Sequence, residues 1–209
     1  MKIVTVNNIN TIIFDFGGVL LNLNMQACVN AFACLGYDRI DELIDHYKQK
    51  GIFLLFEEGK ISADDFFVEL QKIVGNPISR EKLKKAYLAF IEDIPAYKLE
   101  LILRLRKQYK ILMLSNINEF IFDYCKENHF IANGHVFEDY FDKAYLSFEM
   151  GICKPSKLIF EQMIEDAGLI PQQCLFLDDG TKNIEMAQTM GFQTYHVKPQ
   201  EDFSYLFEK

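Results

Sequence analysis

Five short runs constrain this chain more than any other feature, because each reads as a strand, most of them nearly continuously apolar and stopping on or beside polar residues. They are Thr11-Ile-Ile-Phe-Asp15, Lys110-Ile-Leu-Met-Leu-Ser115, Ala144-Tyr-Leu-Ser147, Cys174-Leu-Phe-Leu-Asp178 and Phe192-Gln-Thr-Tyr-His-Val197. A strand with no polar face is covered on both sides, as in a parallel sheet flanked by helices. Helical spacing fills the intervals. Tyr97 to Gln108 carries Leu99, Ile102, Leu103 and Leu105 on one side, Ser156 to Ala167 stops at Gly168, and Asn183 to Met190 stops at Gly191. Glycine just past the last periodic residue is a helix stop. The alternation predicts an α/β fold with a doubly wound parallel sheet.

One interval breaks the rhythm. From Asn22 to Ile94 the sequence shows helical stretches and no strand: Met25 to Leu35, Ile40 to Lys48, Ala63 to Val74 and Arg80 to Ile91. A structureless loop of that length is implausible inside a compact domain. The segment is therefore read as an inserted helical unit over 22–94, with 1–21 and 95–209 forming the α/β core and Pro95 marking the return. Phe53, Leu54, Leu55 and Phe56 are assigned to packing within it. Tyr37, Tyr47, Glu57, Glu58 and Lys60 are its polar candidates for recognising a ligand. The run Phe120 to Tyr124 reads as a helix face after the second strand, and Phe203 to Phe207 as a segment docked on the sheet edge.

Charge narrows the partners. The 209 residues carry 22 basic and 30 acidic side chains, a formal charge of −8. Nonspecific nucleic-acid binding needs clustered Lys and Arg, so it is not expected. No run is long enough to span a bilayer. Met1 to Asn10 lacks the apolar stretch of a secretory leader. The five cysteines form no Cys-x-x-Cys pair, and the four histidines show no ligand spacing. Reduced thiols and a cytoplasmic location are expected. The sequence sets no oligomeric state.

In open parallel sheets, ligands bind beyond the carboxyl ends of the strands. Here those ends carry Asp15 before Phe16-Gly17-Gly18, then Ser115-Asn116, then Lys154 after the third strand, then Asp178-Asp179. Three carboxylates, a hydroxyl, an amide and a lysine thus converge from four strands. The set suits phosphoryl transfer. Two negative charges ~4 Å apart repel by about 4 kcal/mol at an effective dielectric of ~20, and a phosphate dianion doubles that. An aspartate that attacks phosphorus therefore needs cations beside it, and Mg²⁺ prefers such all-oxygen surroundings.

The segments Phe14-Asp15-Phe16-Gly17-Gly18-Val19-Leu20, Leu114-Ser115-Asn116, Lys154-Pro155 and Leu177-Asp178-Asp179 with Asn183 resemble the four motifs of the haloacid dehalogenase superfamily of hydrolases. The resemblance covers essentially the whole chain. It implies a Rossmann-like core with an inserted α-helical cap. Within that cap, Phe56-Glu-Glu-Gly-Lys-Ile-Ser62 is similar to a segment of a bacterial subgroup that includes α-D-glucose-1-phosphate phosphatase. The resemblance further implies a Mg²⁺-dependent phosphatase of a small phosphorylated metabolite, a sugar phosphate with sugar 1-phosphates among the candidates, acting through an aspartyl-phosphate. Asp15 would be the nucleophile. Asp15, the Gly17 carbonyl and Asp179 would hold Mg²⁺, with Asp178 as a direct or water-mediated ligand. Ser115, Asn116 and Lys154, with the backbone of Phe16, Gly17 and Gly18, would hold the phosphate, Ser115 and Lys154 also acting in catalysis.

The chain departs from most phosphatases of that superfamily two residues after the nucleophile. Gly17 stands where they carry a second aspartate as proton donor. A positioned acid or base contributes about 10²–10⁴-fold. On the strand-end residues alone, turnover is expected to depend steeply on leaving-group acidity. Two alternatives stay open: a sugar-phosphate binder with weak or no turnover, and a 2-haloacid dehalogenase, a class that works without metal and lacks the acidic pair.

Overall fold

The computed structural model describes residues 8–43, 50–75, 77–131 and 134–208. Five strands form one sheet in the order β3-β2-β1-β4-β5, every neighbouring pair parallel. They are β1 (Thr11–Phe14), β2 (Lys110–Ser115), β3 (Lys143–Leu146), β4 (Cys174–Asp178) and β5 (Gln193–His196). Side chains alternate across a strand, and here both faces are covered. Ile12 and Phe14 face one buried cluster with Ile111, Met113, Leu175 and Leu177. Ile13 faces the other, with Leu112, Leu114, Phe176, Ile159 and Phe160. That two-sided burial is why β1, β2 and β4 read as nearly unbroken apolar runs, whereas the edge strand β5 is partly exposed and mixed in composition.

The helices are α1 (Met25–Cys34), α2 (Gly51–Glu57), α3 (Ala63–Val74), α4 (Arg80–Leu88), α5 (Ala96–Leu105), α6 (Glu119–Asn128), α7 (Phe137–Tyr140), α8 (Ser147–Met150), α9 (Lys157–Ala167) and α10 (Thr181–Thr189). The second cluster holds the buried faces of α9 and α10. The first runs from α5 and α6 into α1 to α4, which form the inserted cap. Phe53, Phe56, Phe66, Phe67 and Tyr87 fill the cap interior with rings 4.5–6.2 Å apart. Such aromatic pairs each add about 0.5–1.5 kcal/mol beyond area burial. Ser62 caps α3 by accepting from the Asp65 N–H at 3.1 Å, and Gly75 ends it with φ 74°.

Several elements differ from the sequence reading. The helix expected over Ile40 to Lys48 shows a 3₁₀ turn at Ile40–Glu42, and residues 44–49, which include Tyr47, lie outside the described residues. α4 ends at Leu88, because Ile91 bridges Leu23 where the two cap connections run side by side. Asn22 N–H donates to the Asp93 carbonyl at 2.8 Å and Asn24 N–H to that of Phe90 at 2.7 Å. Ser147 opens α8 instead of closing β3. The C-terminal segment does dock on the sheet edge, where Tyr205 Oη meets Tyr195 Oη of β5, and it extends further than expected, with Phe203 packed 6.0 Å from Phe14 of the central strand.

Candidate active site

The register brings the strand ends level. Phe14 of β1 pairs with Met113 of β2 on one side and Leu177 of β4 on the other, so Asp15, Ser115 and Asp178 emerge together. β1 is also where the strand order departs in opposite directions, the position at which doubly wound sheets leave a crevice.

Lys154 stands at the centre of the floor. Its Nζ lies 2.9 Å from Asp15 Oδ2 and 2.6 Å from Asp178 Oδ2, and donates to the Leu114 carbonyl at 2.9 Å. All three ammonium hydrogens are thereby engaged. Burial works against the lysine charge, but Asp15 and Asp178 more than compensate and hold its pKa above the ordinary value. The same burial pushes the Asp15 carboxyl well above the usual carboxylate range. Lys154 opposes that rise, while Asp178 and Asp179 add to it.

Neighbouring groups fix these side chains. Asn116 exchanges two hydrogen bonds with the Lys154 backbone, Nδ2 donating to the carbonyl at 2.9 Å and Oδ1 accepting from the N–H at 2.7 Å. Asp178 Oδ1 accepts from Gly180 N–H at 2.7 Å and Asn183 Nδ2 at 2.9 Å. Phe16 N–H donates to Asp15 Oδ1 at 2.6 Å, and its ring is core, stacked 5.6 Å from Phe130. Gly18 N–H is spent on the Leu21 carbonyl at 2.9 Å, whereas Gly17 N–H takes no partner among the described residues. Ser115 is almost fully buried at the end of β2. Behind the floor, the buried Lys98 donates to the Val19 carbonyl at 2.6 Å and holds the loop after β1.

The donor set fits a divalent cation. Asp15, Asp178 and Asp179 each offer a carboxylate oxygen within 4.8 Å of the others. Gly18 has φ 76°, and a Cβ built there would overlap the Asp179 carboxylate. Only glycine lets that carboxylate lie against the β1 loop. Three carboxylates against one ammonium leave two negative charges, which a hard dication with oxygen ligands balances.

Sequence spacing did not single out three further features. His196 Nε2 lies 2.8 Å from the Asp179 carbonyl. The fully buried Ser147 donates from Oγ to the Glu57 carbonyl at 2.6 Å, and its Oγ accepts from Ile117 N–H at 2.9 Å, joining cap to core. Asn118 Nδ2 donates to Tyr87 Oη of α4 at 3.0 Å, and Glu119 accepts from the Ala63 N–H of α3 at 2.9 Å. Glu57, one of several polar cap candidates by sequence, is the one that comes within electrostatic reach of Lys154. Glu58 instead pairs with Lys60 at 2.7 Å. Tyr37 lies at the start of the cap, packed against its apolar cluster.

Comparison with known proteins agrees with this geometry. Residues 9–191 match the family model of the haloacid dehalogenase-like hydrolases. The chain is 40% identical over 195 residues to a D-ribitol-5-phosphate phosphatase of Bacteroides thetaiotaomicron, covering 93% of this chain and 95% of that protein. A variant of a HAD family enzyme from the same organism, solved in complex with magnesium and inorganic phosphate, superposes with a TM-score of 0.94 at 38% identity, over 96% of this chain and 100% of the other. A HAD-like hydrolase of Porphyromonas gingivalis superposes with a TM-score of 0.87 at 36% identity, over 96% and 98% of the two chains. Among the described residues no helix is long and apolar enough to cross a membrane.

Proposed function

Because the chain belongs to the haloacid dehalogenase-like hydrolases and is a Mg²⁺-using phosphoric monoester hydrolase of that family, we propose that it dephosphorylates a small sugar or sugar-alcohol phosphate through a phosphoryl-aspartate at Asp15. The substrate class rests on the ribitol-phosphate relative, and the family resemblance extends it to sugar 1-phosphates. Residues 1–21 and 95–209 form the catalytic core in this reading, 22–94 form the cap that selects the leaving group, and the enzyme works in the cytoplasm, in keeping with its five unpaired cysteines.

Asp15 is the nucleophile. Phe16 N–H pins its Oδ1, so the carboxylate presents one orientation. Lys154 stays protonated and offsets charge at Asp15 as the phosphate arrives. The Ser115 hydroxyl and Gly17 N–H supply donors to phosphate oxygens, Gly18 shapes the loop, and Asn116 keeps Lys154 in place. Asp15, Asp179 and the Gly17 carbonyl hold Mg²⁺, with Asp178 orienting Lys154 beside them. When bound, the ion supplies positive charge that lowers the cost of bringing one anion onto another. The acidic pair Asp178-Asp179 favours phosphate chemistry over dehalogenation, which uses no metal.

The observation that carries this reading is the buried lysine shared by Asp15 and Asp178, beside an all-oxygen cluster within 4.8 Å. A phosphate-release screen tests it, with sugar 1-phosphates, sugar and sugar-alcohol 5- and 6-phosphates, nucleotides and an aryl phosphate, each with Mg²⁺ and with EDTA. Release from the sugar or polyol esters, abolished by EDTA, is expected. Ligand binding without release from any ester would leave a sugar-phosphate binder instead.

A further inference from the structure

An ester of an ordinary sugar alcohol leaves as a poor alkoxide, so its oxygen must gain a proton as the P–O bond breaks. Attack by Asp15 is in line, which sends the leaving oxygen away from the floor and toward the cap. One place where the cap meets the core is the C-terminal end of α2. There the Glu57 carbonyl is clamped by Ser147 Oγ at 2.6 Å, and a Cβ at Gly59, two residues on, would overlap the Phe148 carbonyl. Ser147 directly follows Leu146, which pairs with Ser115, so this clamp lies over the strand ends. The Glu57 side chain is partly buried and has no hydrogen bond or ion pair among the described residues. Glu58, beside it, is held by Lys60.

We propose that Glu57 is the catalytic acid and base of this site, contributed by the cap in place of any side chain at Gly17. The proposal rests on the phosphatase reading above. In the first half-reaction an Asp15 oxygen bonds to phosphorus, the ester P–O bond breaks, and the leaving oxygen takes the Glu57 proton. In the second, the Glu57 carboxylate takes a proton from water, the water oxygen bonds to phosphorus, and the Asp15 O–P bond breaks. Phosphate leaves and Glu57 is protonated again. The surroundings suit the protonated starting form. Burial pushes the Glu57 carboxyl up to about 8, with Glu58 adding to the rise and Lys154 opposing it. Tyr87 of α4 and Cys153 are the other titratable groups that sense Glu57. With this acid in place, the steep dependence on leaving-group acidity expected from the strand ends no longer holds.

The test compares wild type, Glu57→Gln and Glu57→Asp on two substrates with Mg²⁺: the alkyl phosphate released best in the screen, and p-nitrophenyl phosphate, whose leaving group needs no proton. For Glu57→Gln, kcat on the alkyl ester is expected to fall about 10²–10³-fold and on the aryl ester under tenfold. The alkaline limb of the alkyl-ester pH profile near 8 should disappear with it. Glu57→Asp should recover part of the loss. Equal losses on both esters, or no loss on the alkyl ester, would overturn the proposal. If the variants do not fold, the wild type alone decides: kcat/KM across alkyl and aryl phosphates should vary little with leaving-group acidity, and a steep variation would overturn it. Failure of the wild type to release phosphate from any ester would refute the phosphatase reading itself, a separate outcome.

Discussion

On the floor of the site, Asp15 and Asp178 are each within 2.9 Å of one lysine, and Asp178 also accepts two further hydrogen bonds. On the roof, Glu57 lies within electrostatic influence of the same lysine, with no hydrogen bond or ion pair to its carboxyl among the described residues. Both regions take carboxyls out of water, and they meet the desolvation cost in opposite ways. The floor offsets part of the cost by pairing its carboxyls with one lysine, which fixes geometry, although burial still raises Asp15. The roof lets the proton stay on, which keeps a group able to change charge. Buried ionisable groups have these two escapes, pairing and neutralisation. A site that must both hold an anion and move a proton uses one of each.

If the floor is the fixed half, its loss should be absolute for chemistry. Asp15→Asn is expected to reduce phosphate release by about 10⁴-fold or more, because no other group there can accept the phosphoryl. Burial raises the Asp15 carboxyl, so its ionised form works against folding at neutral pH, and the variant should melt no lower than wild type in EDTA. Thermal melts beside the release assay check both.

Removing the shared counter-charge should cost stability instead. Lys154→Met leaves two carboxylates buried without a cation, a loss of about 3–5 kcal/mol by analogy with broken buried pairs. Urea unfolding in EDTA measures it. A loss under ~1 kcal/mol would show that the floor is more solvated than its geometry indicates.

Gly18→Ala probes the seam between the β1 loop and Asp179. The left-handed φ of 76° costs the substitution about 1–2 kcal/mol. The displaced carboxylate should also weaken Mg²⁺ binding by roughly tenfold. Unchanged affinity would mean that Asp179 can reach the ion from another position.

The effect that depends on pH belongs to the roof. Glu57 has a pKa near 8 in the fold against an ordinary 4.5, so the unfolded chain gives up its proton first. Its contribution to stability is full below about 4.5 and is lost as pH climbs through about 8. Glu57→Gln should therefore gain stability relative to wild type between those pH values, read from melting temperatures. A difference that does not change with pH would place the carboxyl in solvent.

How far each half could be read from sequence follows from the same contrast. The floor lies where strand ends meet, and strand ends are marked locally by an apolar run stopping at Asp15, Ser115 or Asp178. The parallel register then aligns them without further information. The roof has no such rule. That Glu57 meets Ser147, ninety residues away in sequence, depends on how the cap helices pack on one another and on the paired connections at Asn22–Asn24 and Phe90–Asp93. The run Phe53 to Phe56 reads as packing throughout, but the structure buries Phe53 and Phe56 and exposes Leu55, and nothing in the run tells which end of α2 points at the core. Asn116 shows a third case. Its position after β2 marks it as a candidate site residue, yet its partner, the Lys154 backbone, depends on the loop after α8. The C-terminal segment meets the edge strand through Tyr205 and Tyr195 as expected, while the reach of Phe203 to Phe14 depends on tertiary packing that no local pattern marks.

The most direct measurement is a calorimetric titration of Mg²⁺ into wild type and Asp179→Asn, run beside phosphate release at each metal concentration. One ion per chain, at least tenfold weaker binding in the variant, and release that follows occupancy are the expected results. Equal affinity in the two proteins, or full phosphate release in EDTA, would contradict the account.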